Sequence, residues 1–88
     1  MKIKQQKQIK TFLIEEFGKD RGSALFDEQE KALNTIIKNT KNKSKNQMKT
    51  LISTILPRIA LYKVLSKSGF TEDVVYKHMR KYMLDIVA

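Results

Sequence analysis

Eighty-eight residues with 41% hydrophobic content make one small domain at most, and a chain this short keeps roughly a third or more of its unfolded surface exposed. With no cysteine, a disulfide framework, a thiolate nucleophile and a thiolate metal site are all excluded, and a single histidine, His78, excludes any site needing two imidazoles. Lysine and arginine total 18 against 9 acids, a net charge of +9, and the whole excess lies between Lys31 and Thr71, which hold nine basic residues and no acid.

The periodicity predicts helices nearly throughout. Ile9, Phe12, Leu13 and Phe17 recur at spacings of three and four, one face of a helix that Gly18 ends in a left-handed cap. Asp20 or Ser23 then caps a second helix, whose stripe is Leu25, Phe26, Gln29, Ala32, Leu33, Ile36 and Ile37. The segment Thr40 to Gln47 has no apolar side chain and is the best loop candidate. A third stripe runs Met48, Leu51, Ile52, Ile55, Leu56, Ile59, Ala60, Tyr62, Leu65, and Pro57 within it predicts a kink or a restart. Gly69 fits the position after this helix, with Phe70 folding back on Leu65. Thr71 is the N-cap of a last helix, Glu72 and Asp73 sit on its positive end, and Phe70 and Val75 are spaced as a hydrophobic staple.

That last stripe (Val74, Val75, His78, Met79, Tyr82, Met83, Ile86) is still apolar close to Ala88, so the chain reads as if cut within an element. No period-two run of β-branched residues marks a strand. The expectation is an all-α fold, a single domain over residues 1–88 with three or four helices, the last two a hairpin across Gly69. Apolar stripes left exposed on such a bundle predict self-association.

Chemistry-bearing groups are sparse. His78 is the obvious general-base candidate, but it lies on the apolar stripe between Val75 and Met79, where a packing role is expected. Acids pair only as neighbours (Glu15–Glu16, Asp27–Glu28, Glu72–Asp73), and adjacent helical residues point about 100° apart, so none reads as a carboxylate dyad. Tyr62, Tyr76 and Tyr82 suit a core edge. There is no phosphate-binding glycine loop, Ser-His-Asp set or metal-ligand spacing. No catalytic residue, metal site or cofactor is expected from these residues.

A lysine-rich middle suits nucleic acid, an anionic membrane or an acidic partner. Yet 15 of the 18 basic residues are lysine, which favours solvation over bidentate recognition. In a nucleic-acid reading the contacts would come from Lys38, Lys41, Lys43, Lys45, Lys49, Lys77, Arg80 and Lys81. Against it, Lys38–Lys49 has no aromatic residue for base stacking, and Glu72 and Asp73 open the helix that would enter a groove. No segment pairs a lysine face with a bulky aromatic one, so a membrane surface is not expected. The N-terminus MKIKQQKQIK has no apolar run behind its charges and is no secretory leader, which predicts a cytoplasmic chain.

The stretch LISTILPRIALYKVLSKSGFTEDVVYKHM, Leu51 to Met79, resembles the N-terminal helical region of the L-2-amino-thiazoline-4-carboxylic acid hydrolase-like family. The residues that carry the resemblance are Leu56, Pro57, Ile59, Ala60, Leu61, Tyr62 and Leu65, followed by Gly69 and Phe70, about a third of the chain. It implies a longer protein in which these helices precede a cysteine-containing α+β portion holding the reactive groups. The namesake reaction is hydrolytic opening of a thiazoline ring to N-carbamoyl-cysteine. No catalytic residue carries over to these 88 positions. Pro57 is expected to kink a core helix with Ile59, Tyr62 and Leu65 packed inside; Arg58 and Lys63 could meet a substrate carboxylate, but nothing in the sequence assigns them that contact.

Overall fold

The computed structural model describes residues 4–40 and 43–82. Five helices make up the described residues: α1 (Lys4–Phe17), α2 (Lys19–Asn39), α3 (Lys45–Thr54), α4 (Leu56–Lys67) and α5 (Glu72–Lys81). The all-α class stands, with one helix more than expected. The extra helix comes from Pro57, which has no amide to donate to the turn before it. The third stripe therefore breaks at Ile55 (φ −106°, ψ −35°), and Pro57 occupies the first turn of a new helix, where a missing amide costs nothing. The break is shallow: Ile55 still donates to the Leu51 carbonyl at 3.0 Å, and Ile59 to that of Ile55 at 3.0 Å.

Two helix starts differ from expectation. Helix α2 begins at Lys19, capped by the backbone of Gly18, whose carbonyl accepts from Gly22 at 2.7 Å. Asp20 and Ser23 lie inside the helix and do not cap it. Gly18 does adopt the positive φ expected of it, but its φ 89° and ψ 163° fall outside the left-handed helical region. Helix α3 starts at Lys45, inside the segment expected to be loop, because Ser44 and Gln47 form a reciprocal capping box, with bonds of 3.2 and 3.0 Å.

The turn into α5 follows the sequence closely. Gly69 takes φ 98°, Phe70 donates to the Leu65 carbonyl at 3.4 Å and Gly69 to that of Ser66 at 3.2 Å, the two bonds of a Schellman motif. Thr71 caps α5 by accepting from the Val74 amide. Phe70 packs on the same cluster as Leu65 and Val75, completing the staple and the hairpin. Met83, Ile86 and the reading of the chain end lie outside the described residues.

Helix α2 packs against both α1 and α4, and α4 also meets α1, α3 and α5. The core divides into two clusters. The first joins α1 (Ile9, Phe12, Leu13), Leu25 of α2, the second half of α4 (Leu61, Val64, Leu65) and α5 (Val75, Met79). The second joins Leu33 of α2, Ile52 of α3 and the first half of α4 (Leu56, Ala60). Among the described residues, α2 and α4 alone contribute buried side chains to both. Gly22 lets α1 and α2 touch: a Cβ there would lie 2.5 Å from the Leu13 carbonyl oxygen and 2.7 Å from the Ile14 Cα.

Candidate functional site

Among the described residues one polar side chain is buried, Gln29, at 0% exposure; it lies on α2 between Leu25 of the first cluster and Leu33 of the second. Its amide and that of Gln6 exchange two hydrogen bonds of 2.7 Å, and its second amide hydrogen goes to the Pro57 carbonyl oxygen at 3.0 Å. Both donor hydrogens are thus used, the condition for burying an amide without penalty. Gln29 lies on the predicted stripe of α2, so its burial was legible. The partner residues on α1 and α4 were not, since nothing local ties Gln6 or a proline carbonyl to it.

The densest set of titratable groups joins the end of α1 to the end of α5. Tyr82 donates its hydroxyl to Glu15 at 2.9 Å. Lys81 donates to Glu16 at 3.1 Å, and His78 Nδ1 lies 3.5 Å from the other Glu16 oxygen. The His78 ring also rests 6.1 Å from Phe17, centre to centre. The hydrogen bond from Lys81 holds the Glu16 carboxyl below its ordinary value, against a smaller opposing effect of burial. The bond to Glu15 pushes the Tyr82 hydroxyl up to about 12. Both shifts run away from neutral pH, opposite to the tuning of a general acid or base. The cluster is a clasp that docks α5 on α1. His78, a third exposed, has the half-buried packing position expected of it. Glu15 and Glu16, which do not form a dyad, hold the clasp instead, a role visible only once α5 is folded against α1.

Elsewhere, Tyr62 and Tyr82 line the first cluster, with Tyr82 4.9 Å from Phe12, and Tyr76 packs on Tyr62 at 5.4 Å. Arg58 is half-buried on α4, whereas Lys63 is exposed on the border of a shallow hollow with Lys31, Lys67 and Glu28. Lys38, Lys43, Lys45 and Lys49 are exposed on or beside α2 and α3, and Lys77, Arg80 and Lys81 on α5. The first group accompanies the second cluster and the other rides on the first, so the fold does not gather them around one cleft. Lys81 is already engaged by Glu16, and Lys41 lies outside the described residues.

Among the described residues no group of three or more histidines or acids is placed to hold a metal ion, and no helix is long and apolar enough to cross a membrane. The apolar stripes cover one another: of the large hydrophobic side chains described, Val74 alone is exposed, at 37%. The exposed stripes expected from the sequence reduce, among the described residues, to a half-buried rim around the second cluster. No known protein family, curated protein or solved structure matches the chain.

Proposed function

We propose that these residues are the N-terminal helical, non-catalytic portion of a protein similar to the L-2-amino-thiazoline-4-carboxylic acid hydrolase-like family, a scaffold for a part that carries the chemistry. The observation that supports this reading is how the resembling segment is used. Leu56, Pro57, Ala60, Leu61 and Leu65 are all buried in α4, the helix that serves both core clusters, and Tyr62 packs at the cluster edge. A segment so committed to packing has a scaffolding role. Within this reading the protein acts in the cytoplasm, and its substrate is set by residues outside these helices.

The test is the intact mass of the protein as its own cells make it. A mass well above 10.3 kDa is expected. A mass of 10.3 kDa would contradict the proposal and leave a stand-alone basic module that binds a protein or DNA. The exposure of Lys38, Lys43, Lys45 and Lys49 favours that second reading. Its DNA form predicts sequence-dependent duplex binding that persists above about 200 mM salt, since a purely electrostatic contact is lost by then.

A further inference from the structure

The second cluster is unevenly covered. Around its four buried residues, Ile36, Ile37, Met48, Leu51, Ile55 and Ile59 remain half-buried, a rim of aliphatic and thioether side chains contributed by α2, α3, the α3–α4 junction and α4. Lysines accompany it. Lys38 follows Ile37 in the last turn of α2, Lys49 follows Met48, and Lys43 borders a hollow of about 350 Å³ floored by Leu51. Helices α3 and α4 contain no acidic residue, and α2 has none after Glu30. Among the described residues this end of the molecule thus pairs an apolar centre with lysines, and neither α3, α4 nor the last part of α2 sets an acid beside them.

We propose that it is a docking surface for an acidic amphipathic helix of a protein partner. The partner's apolar face rests on Ile36, Met48, Leu51, Ile55 and Ile59, and its carboxylates meet Lys38, Lys43, Lys45 and Lys49. Charge complementarity selects this occupant. A second copy meeting the surface with its own equivalent would set lysine against lysine, and such like-charge contacts disfavour association. Nucleic acid would lay phosphates over the aliphatic centre, and the rim has no aromatic ring on which a base could stack. A helix with leucines along one stripe and glutamates beside it satisfies both features. The inference goes beyond the scaffold reading and does not depend on it.

The test is a methyl NMR titration of the chain with a synthetic peptide of leucine and glutamate at helical spacing. The expected result is shifts confined to the methyls of Ile36, Ile37, Met48, Leu51, Ile55 and Ile59. Lys43→Glu, Lys45→Glu and Lys49→Glu together should weaken that binding by about tenfold or more. All three lysines are exposed, and glutamate near the start of α3 suits its dipole, so the variant should fold, as circular dichroism will show. Should it not, binding by the unaltered chain must fall with ionic strength. Four results would overturn the proposal: no shift, equal binding of a leucine–lysine peptide, the same shifts produced by duplex DNA, or shifts that track protein concentration without peptide.

Discussion

At Gly22 the α2 backbone lies so near α1 that even one methyl group must push the helices apart. Gly22→Ala should therefore destabilise the fold by about 1–3 kcal/mol, the usual cost of overpacking, although alanine is the better helix former. Denaturant unfolding measures this, and a neutral or stabilising result would show that α1 and α2 are not in contact there. Gln29→Ala leaves the Gln6 amide without its partner and the Pro57 carbonyl without a buried donor, so a loss of about 2 kcal/mol or more is expected in the same assay. The clasp adds a pH dependence. Because the folded chain holds Glu16 below its ordinary value, its contribution is complete above pH 4.5 and fades as pH falls through the lowered value. The stability gap between the native chain and Glu16→Gln should narrow on acidification. Tyr82 runs the other way: its contribution is present below pH 10 and is lost as pH rises toward about 12, which comparison with Tyr82→Phe will show. Neither Gly22 nor the clasp was legible in the sequence. A glycine inside a helix pattern does not reveal which backbone it faces, and Glu16 meets Lys81 across 65 positions.

Local signals explain most of the element boundaries. The Schellman bonds at Gly69 and the Thr71 cap join residues no more than five positions apart, so reading them required no tertiary information. Gly69→Ala should cost about 1–2 kcal/mol, because alanine pays for a positive φ that glycine adopts freely, with open space around the site and no clash to confuse the measurement. An unchanged melting temperature would show that the turn does not hold this φ in solution. The start of α3 was equally local. Ser44 and Gln47 carry the capping-box spacing, a signal the sequence reading of Thr40–Gln47 as loop did not use. Pro57 announced an interruption without saying which kind. The structure has a restart, with Leu56 and Ala60 of the new helix in one cluster and Leu61 and Leu65 in the other.

At the scale of the whole molecule, α2 and α4 form the spine. They span both clusters, and the Gln29–Pro57 hydrogen bond fastens them at the seam. Most of the residues that carry the resemblance lie in α4, half of that spine, and Leu56, Pro57, Ala60, Leu61 and Leu65 among them are committed to its packing. Which helices would pack on which was not readable from stripes alone, since every stripe is compatible with several neighbours. The most direct measurement is native-state amide exchange at Leu25 and Leu33 of α2 and at Ala60 and Leu65 of α4, two positions from each cluster. A shared spine predicts one opening free energy for all four, equal to that of global unfolding. If Leu33 and Ala60 opened at a lower free energy while Leu25 and Leu65 stayed protected, the clusters would be separate units, and the account of α4 as the member that unites them would be wrong.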